Sequence, residues 1–240
     1  MPSRRRSKQR FRKPKRRRWL RWIASALIAC LVMSALLVLP LRWIAPQTTA
    51  FMLQDDSGRV PVLYEWTDWA GLGDAAPLAV VAAEDQRFAD HPGLDFESIS
   101  RSLERADQGG RLRGASTISQ QVIKNLYLWP GRSYLRKGVE AYLTVVAELC
   151  LPKRRILEIY LNIAELGPGI YGFPAASRYF FDKPVTELTY AEAALLAGVL
   201  PNPDRLRADR PSDYLRERQR WILGQVQRLD REDWLSRIQR

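Results

Sequence analysis

The longest apolar stretch of the chain lies close to its N-terminus. It holds about 20 residues without a charge, over residues 22–41, and an α-helix of that length would cross the ~30 Å hydrocarbon core of a bilayer. Trp19 and Trp43 lie just outside it, where interfacial aromatic residues are common. The pattern predicts one transmembrane helix.

A cleaved signal peptide is the alternative interpretation of this stretch. Its apolar segment would be about 7 to 15 residues long, which is shorter than the run found here. Thr48-Thr49-Ala50 is also a mediocre cleavage site. We therefore favour a retained membrane anchor.

Beyond residue 75, apolar positions recur with the three- and four-residue spacing of amphipathic helices. Helix caps support this pattern, such as Ser116 or Thr117 with Gln120. Alternating apolar residues over 60–66 predict a short strand or hairpin, weakened by Pro61. The fold class is therefore mainly α with a small β appendage. The predicted helices cover about 76–89, 96–106, 117–128, 134–151, 153–165, 174–181, 190–199 and 213–229.

The positive charge of the chain is concentrated ahead of the apolar run. The sequence has 38 basic and 26 acidic residues, a net charge of +12. Residues 1–21 carry that whole excess and no acid, so the remainder is balanced at 26 of each sign. A neutral body disfavours a general nucleic-acid-binding surface. Because basic residues stay on the cytoplasmic side of a span, we expect a basic cytoplasmic tail over residues 1–21 and one extracytoplasmic domain over residues 42–240.

Histidine and cysteine are too scarce for the common metal and disulfide frameworks. His91 is the single histidine, which excludes a multi-histidine metal site. Cys30 and Cys150 can form at most one disulfide, and Cys30 lies in the apolar run. We therefore expect no protein metal site and no disulfide scaffold.

Two acids follow the apolar part of the helix predicted over 76–89. A carboxylate beside buried apolar surface tends towards a raised pKa, which suits a general acid or base near neutral pH. Because successive helical residues point about 100° apart, Glu84 and Asp85 cannot both face one cleft. We expect one to act in catalysis and the other to cap the helix or pair with Arg87. An ordinary solvated helix end is the alternative.

A polar stripe lies on the helix predicted over 117–128. At about 100° per residue, Thr117, Gln120, Gln121 and Lys124 share one face, opposite an apolar one. The stripe begins at a helix N-terminus, which favours anions. Its composition favours ligand contact, and a solvated polar face is the alternative.

Charged side chains also cluster on the helix predicted over 134–151. Arg136, Lys137 and Glu140 lie on one of its faces. Taken alone, such a cluster most often marks a surface salt bridge.

The next helix is apolar over most of its circumference. Its polar stripe is formed by Arg155, Glu158 and Asn162. This pattern predicts a buried helix whose polar residues make structural hydrogen bonds.

Four segments, in this order, resemble the signature motifs of the peptidoglycan glycosyltransferases, over a stretch from about Tyr64 to Leu229. We expect the monofunctional kind rather than a bifunctional penicillin-binding protein, because no second domain follows and neither Ser-x-x-Lys nor Lys-Thr-Gly occurs. Glu165-Leu166-Gly167 departs from the family pattern, where an aromatic residue precedes the glycine. The four segments are Glu84-Asp85-x-x-Phe88-x-x-His91-x-Gly93, Gly114-x-Ser116-Thr117-Ile118-x-Gln120-Gln121-x-x-Lys124-Asn125, Arg136-Lys137-x-x-Glu140 and Arg155-Ile156-Leu157-Glu158-x-Tyr160-Leu161-Asn162.

The resemblance implies a lysozyme-like α fold and the polymerisation of lipid II, with undecaprenyl diphosphate as leaving group. It implies that Glu84 is the general base that deprotonates the 4-hydroxyl of the acceptor's N-acetylglucosamine. It implies that Glu140 is a second essential carboxylate, which assists at the diphosphate. The implied substrate-binding residues are Asp85, Ser116, Thr117, Gln120, Gln121, Lys124, Asn125, Arg136 and Lys137.

The resemblance also implies where the protein works and what it binds. We expect a single-pass protein of the bacterial cytoplasmic (inner) membrane, with its catalytic domain in the periplasm. Its substrates would be lipid II and the growing glycan strand, and other cell-wall synthesis or division proteins are candidate partners. No nucleic acid is expected. A divalent cation, Mg or Mn, at the diphosphate is the one candidate cofactor.

Two rival functions remain open at this point. A peptidoglycan-cleaving muramidase also uses paired carboxylates, but Lys124, Arg136 and Lys137 would then have no charged leaving group to bind. A non-catalytic membrane-anchored scaffold would tolerate the loss of Glu84.

Apolar residues shortly after the span form the last candidate surface. Phe51, Met52, Leu53 and the stretch 66–72 with Trp69 lie in a turn-rich region. Exposed apolar patches commonly mark membrane contact, so we expect this patch to touch the bilayer. Packing against the helical body is the alternative.

Overall fold

A computed structural model describes residues 16–107, 116–131, 133–231 and 233–238. Helix α1, Arg16–Val38, continues into a 3-10 turn, Leu39–Arg42. The stretch Trp19–Arg42 is apolar enough to cross a membrane and is largely uncovered by protein, which fits the predicted anchor. Most of the predicted basic tail, residues 1–15, lies outside the described residues.

The described chain is mainly helical, as predicted. Two short helices, Ala50–Leu53 and Trp234–Ile238, were not predicted from the sequence, because four or five residues are too short to show a helical period. A 3-10 turn covers Trp69–Gly71 and another covers Val185–Glu187. The helices after α1 are α2 (Ala50–Leu53), α3 (Ala75–Glu84), α4 (Phe96–Asp107), α5 (Ile118–Tyr127), α6 (Tyr134–Cys150), α7 (Lys153–Ile163), α8 (Phe173–Phe181), α9 (Tyr190–Val199), α10 (Asp213–Arg231) and α11 (Trp234–Ile238).

The β part is a three-stranded sheet in the order β1, β3, β2. Strand β1 (Leu63–Tyr64) pairs in parallel with β3 (Ile170–Tyr171), and β2 (Glu165–Gly167) pairs with β3 in antiparallel fashion. Of the strand predicted over 60–66, only the two residues of β1 are in strand conformation. Strands β2 and β3 were not predicted, because two or three residues show no alternation.

Two predicted helices end earlier than expected. Helix α3 ends at Glu84 rather than residue 89, since Asp85 has an extended backbone and its carboxylate bonds His91 and the backbone N–H of Ile118. Helix α7 ends at Ile163, where the chain becomes extended and enters β2. Neither break carries a glycine or proline, so the sequence held no stop signal.

The core forms around α3, which packs against α7, α9 and α10. Helix α5 in turn packs against α6 and α7. Residues 76–82 of α3 and most of α7 are buried, as expected for helices that are apolar almost all round. The elements that carry the four motifs therefore surround one interior.

The polar stripe of α7 makes the structural bonds that its pattern predicts. Glu158 pairs with Arg155 (2.9 Å) and accepts a hydrogen bond from the backbone N–H of Trp69 (2.9 Å). Asn162 accepts from the backbone N–H of Thr67 (2.8 Å) and donates to its carbonyl (2.9 Å). These bonds fasten the segment before α3 to the core.

The prediction of an exposed apolar patch after the span is wrong for most of the residues assigned to it. Met52 is 7% exposed and Leu72 is fully buried. The bonds from α7 draw the stretch 66–72 inwards, so its apolar residues cover the core instead of facing lipid. Leu53 does remain exposed. The members packed against the core are Phe51, Trp66 and Trp69.

Helix α1, the predicted anchor, packs against the helical domain. The hydroxyls of Ser34 in α1 and Tyr142 in α6 are 2.7 Å apart. The hydroxyl of Tyr127 in α5 donates to a backbone carbonyl of α1 (3.0 Å), and Nε of Arg155 in α7 donates to a carbonyl of the following 3-10 turn (2.7 Å). Three motif-bearing helices thus contact the last part of the anchor.

Candidate active site

Glu84 is the last residue of α3, where the buried helix reaches a cleft. Its Oε2 accepts a hydrogen bond from Nε2 of Gln121 (2.8 Å), and its Oε1 lies 3.5 Å from Nη2 of Arg218. Burial raises the pKa of Glu84 above its usual value. The hydrogen bond from Gln121 and the charges of Arg218 and Lys124 oppose that increase without cancelling it. The raised pKa expected at this helix end is confirmed.

Tyr160 holds the amide of Gln121 in one orientation. The Tyr160 hydroxyl donates to Oε1 of Gln121 (3.0 Å), so Nε2 is the end that faces Glu84. Complete burial raises the pKa of Tyr160 well above its usual value, which keeps the hydroxyl protonated. These contacts link α3, α5 and α7 through Glu84, Gln121 and Tyr160. The role of Tyr160 was not predicted.

The Asp85 carboxylate is largely buried at the inner edge of the cleft. Its carboxylate accepts hydrogen bonds from Nε2 of His91 (3.0 Å) and from the backbone N–H of Ile118 at the start of α5 (3.1 Å). The backbone N–H of Gly93 donates to Nδ1 of His91 (3.2 Å), so Nδ1 is unprotonated and Nε2 is the donor. Asp85, predicted to bind substrate, is thus occupied in fixing the start of α5.

The pairing of Asp85 with Arg87 that the sequence suggested is wrong. Arg87 pairs with Glu97 and lies 3.5 Å from Asp95. Because the helix breaks after Glu84, the chain turns Asp85 inwards and Arg87 towards α4.

The polar stripe of α5 divides into a buried and an open part. Thr117 and Gln120 close a capping box on each other, and both side chains are buried. The cap is confirmed, and Thr117 also lines the pocket beside Glu84. Asn125 is buried as well, which leaves Gln121 and Lys124 on the cleft side.

Glu140 in α6 is a buried carboxylate between two cations. Its side chain is only 3% exposed, its Oε2 lies 2.8 Å from Nη1 of Arg136, and its Oε1 pairs with Lys137. Nζ of Lys137 also donates to Oγ of Ser116 (3.3 Å), which joins α6 to the start of α5. The burial of Glu140 contradicts the alternative of a surface salt bridge. Gly114 and Ala115, which precede Ser116 in the motif, lie outside the described residues.

Lys124 is within electrostatic reach of both Glu84 and Glu140. Burial lowers its pKa, and so does the charge of Arg136 and Lys137, whereas Glu140 and Glu84 act in the opposite direction. Its Nζ is also 5.0 Å from the centre of the Phe51 ring, a cation–π contact. Lys124, Arg136 and Lys137 therefore form one group of positive charge around Glu140.

Arg218 reaches the site from α10 and was not predicted. Beyond its approach to Glu84, its Nε is buried with no hydrogen-bond partner among the described residues. Arg218 lies between the fully buried Leu215 and Ile222 on the inner face of α10. A cation within the apolar stripe of an amphipathic helix was the signal that could have revealed it.

A pocket of about 450 Å³ opens beside Glu84. It lies between the end of α3, helix α4, the start of α5 and α10. Its unpredicted members carry no common sequence pattern, because they meet only in the folded chain. These members are Ala82, Ala83, Gln86, Arg87, Asp95, Ser98, Arg101, Ser102 and Trp221.

The site does not offer a ligand set for a metal ion. Within the described ranges, no group of three or more His, Cys, Asp or Glu side chains could hold one. Both oxygens of Glu140 are paired with cations. The residues therefore do not fit a divalent cation held by the protein itself.

The same residues lie in a region shared with known enzymes. Residues 60–227 match the transglycosylase family model. The biosynthetic peptidoglycan transglycosylase of Stutzerimonas stutzeri is 46% identical over 90% of this chain and 92% of its own. Its namesake in Pseudomonas aeruginosa is 42% identical over 93% of this chain and 96% of its own. A third, from Pectobacterium carotovorum, is 53% identical over 70% of this chain and 71% of its own. With 168 matched positions that include Glu84 and Glu140, the chain belongs to the transglycosylase family.

Proposed function

We propose that the chain is a peptidoglycan glycosyltransferase that joins lipid II into glycan strands and releases undecaprenyl diphosphate. The observation that supports this best is the placement of a desolvated carboxylate, Glu84, beside a group of three cations around Glu140. A base at the end of α3 and an anion-binding group supplied by α5 and α6 suit a transfer in which a hydroxyl attacks while a diphosphate leaves.

In this reaction the 4-hydroxyl of the acceptor's N-acetylglucosamine attacks the anomeric carbon of the donor strand. Glu84 takes the hydroxyl proton as the new carbon–oxygen bond forms. The bond from the anomeric carbon to the diphosphate oxygen breaks, and its electron pair leaves with the diphosphate. Because burial raises the pKa of Glu84, it is a stronger base than an exposed carboxylate.

Negative charge grows on the departing diphosphate, and three side chains are placed to meet it. Arg136 and Lys137 pair with Glu140, which holds these two α6 cations in position before substrate binds, and Lys124 lies within electrostatic reach of the same carboxylate. An arginine can bind phosphate oxygens with two parallel hydrogen bonds. Glu140 is therefore proposed as the carboxylate that positions the diphosphate-binding cations, and no step is assigned to a metal ion.

The same contacts argue against a muramidase. A glycoside hydrolase needs a second carboxylate that is free to act as nucleophile or base. Both oxygens of Glu140 are occupied by Arg136 and Lys137, and Asp85 is bound to His91. A scaffold has no use for a buried carboxylate such as Glu84, whose desolvation is unfavourable.

For the cellular setting we propose a cytoplasmic tail over residues 1–21, a span over residues 22–41 of the inner membrane, and a periplasmic domain over residues 42–240. The charge asymmetry supports this orientation. The outer side of α6, next to the anchor, is also apolar and replaces the patch expected near residue 51 as the membrane contact. Cell-wall synthesis and division proteins are the partners we would seek there. The exposed α6 residues are Leu135, Val139, Tyr142, Val145 and Leu149.

Incubation of the purified full-length protein with lipid II in detergent tests the proposal. We expect glycan strands and released undecaprenyl diphosphate, both absent with Glu84→Gln. Preformed glycan strands serve as the second substrate, and their shortening without lipid II polymerisation would establish the muramidase. No reaction with either substrate would favour the scaffold. A parallel reaction with a chelator decides whether the substrate's phosphates need a divalent cation.

A further inference from the structure

Helix α10 places an exposed tryptophan in the pocket beside Glu84. Trp221 follows Arg218 by three residues, so the two side chains are neighbours on one side of the helix. Arg218 approaches Glu84, and Trp221 lines the same pocket as Glu84. The indole is 47% exposed, whereas the next residue, Ile222, is fully buried.

The core does not require this indole. The inner face of α10 is supplied by Leu215, Ile222 and Val226, all of them buried. Single exposed apolar residues are common on protein surfaces, so the exposure of Trp221 is not informative by itself. Its position on the wall of the catalytic pocket is the informative observation.

The remaining lining of that pocket is nearly all polar. Apart from two alanines, the described lining residues carry hydroxyl, carboxylate, amide or guanidinium groups, and Trp221 is the only aromatic residue among them. A pyranose ring has hydroxyl groups around its edge and C–H groups on its faces. One flat apolar surface within a hydrogen-bonding wall therefore matches both parts of a sugar. The polar members are Glu84, Asp85, Gln86, Arg87, Asp95, Ser98, Arg101, Ser102, Ser116 and Thr117.

We infer that Trp221 stacks against the acceptor's N-acetylglucosamine ring and so holds its 4-hydroxyl towards Glu84. The inference rests on the proposed function, because that function places the reacting hydroxyl within hydrogen-bond reach of Glu84. The ring that carries the hydroxyl must then lie in this pocket. Trp221 binds substrate and transfers neither proton nor electrons.

Steady-state kinetics with lipid II test the inference. Trp221→Ala should raise KM about tenfold, a typical effect of losing one aromatic contact, and change kcat by less than about threefold because Glu84 is unaltered. Trp221→Phe keeps a flat ring and should restore most of the affinity. Tyr214→Ala is the matched control, since it removes a 58% exposed aromatic side chain from the same helix outside the pocket. It should leave both constants near those of the wild type.

An unchanged KM in Trp221→Ala would overturn the inference. A fall in kcat that Trp221→Phe does not correct would overturn it as well. A lower melting temperature together with a normal KM would show that the indole serves packing alone.

A binding measurement separates this inference from the proposed function. The probe is chitotetraose, and the observable is NMR saturation transfer from the protein to the sugar C–H protons, with the wild type and with Trp221→Ala. Transfer that disappears with Trp221→Ala supports stacking, while equal transfer, or none to either protein, contradicts it. If the wild type fails to polymerise lipid II yet shows the Trp221-dependent signal, the proposed function fails and the sugar contact stands.

Discussion

At the scale of single residues, Glu84 combines a catalytic advantage with a penalty in stability. It follows the buried residues 76–82 of α3, and burial raises its pKa above the value in the unfolded chain. A carboxyl with a raised folded-state pKa favours folding only while protonated, and that contribution is lost as pH rises through the folded pKa. The ionised group therefore weakens the fold and supplies the base.

Glu84→Gln should lower polymerisation by roughly 10²- to 10⁴-fold, the usual loss when a general base is removed. The amide keeps the shape and carries no charge to desolvate, so the melting temperature at neutral pH should equal or exceed that of the wild type. This difference should shrink in acid, where Glu84 is protonated. Lipid II turnover and thermal melting at two pH values measure both effects. Near-normal turnover would contradict the assignment.

Arg218→Gln should move the acid limb of the pH profile of kcat/KM to higher pH. The guanidinium lowers the pKa of Glu84, so its removal means that the base becomes protonated at a higher pH. Arg220→Gln is the control, because it removes the same charge from an exposed position of α10. If the Arg218 and Arg220 variants have the same acid limb, Arg218 does not act on Glu84.

At the scale of elements, the start of α5 depends on Asp85. Asp85→Ala leaves the backbone N–H of Ile118 and Nε2–H of His91 without their acceptor, which should lower the free energy of unfolding by about 1–3 kcal/mol. Activity should fall as well, because Gln121 on the same helix orients Glu84. Urea denaturation and lipid II turnover measure these losses.

Asp90→Ala is the control for this change. Asp90 pairs with Arg237, and both side chains are well exposed, so its loss should be worth less than about 1 kcal/mol. Equal stability of the two variants would mean that Asp85 does not fix the start of α5.

The sequence predicted the long helices because their apolar period extends over several turns. It failed where a contact with a distant residue determines the backbone conformation. Helix α3 ends where Asp85 accepts a hydrogen bond from Ile118, and α7 ends at Ile163, after which the chain pairs with β3. In the site, motif residues on α3, α5 and α6 do meet. Arg218 and Trp221 were not predicted as site residues, because α10 carries no recognised motif and joins the site only through tertiary packing.

At the scale of the whole molecule, we expect helix α1 to affect both membrane retention and stability. A chain that begins at Gln47 loses the Ser34–Tyr142 contact and the backbone acceptor of Arg155. It should fold, because the core around α3 and α7 is retained, with a lower melting temperature. Polymerisation in liposomes should slow, since the enzyme is no longer confined to the surface that holds its substrate.

The exposed side of α6 should still bind this shortened chain to liposomes. Tyr142→Phe in the full-length protein is the control, because it removes the hydroxyl contact and retains the span. Flotation and turnover in bilayers are the measurements. A shortened chain that does not bind liposomes and keeps full activity would contradict a membrane role for α1 and for the exposed side of α6.

The proposed topology makes a separate prediction. A reporter fused to the C-terminus that works only outside the cytoplasm should be active, because the basic residues 1–21 hold the N-terminus inside. A reporter that works only inside the cytoplasm is the matched control. Activity of the second reporter alone would reverse the orientation.

Because α1 is hydrogen-bonded to α5 and α6 within its last turns, the catalytic domain is not free to swing about a flexible stalk. The tilt of α1 in the bilayer and the direction in which the cleft opens then vary together. With α1 in the bilayer, as proposed, each new disaccharide would leave at a constant inclination to the membrane plane. An unrelated apolar helix grafted in place of α1 should retain the enzyme at the membrane and yield polymer of the same chemistry. In that chimaera the inclination at which the strands leave the enzyme should vary from molecule to molecule.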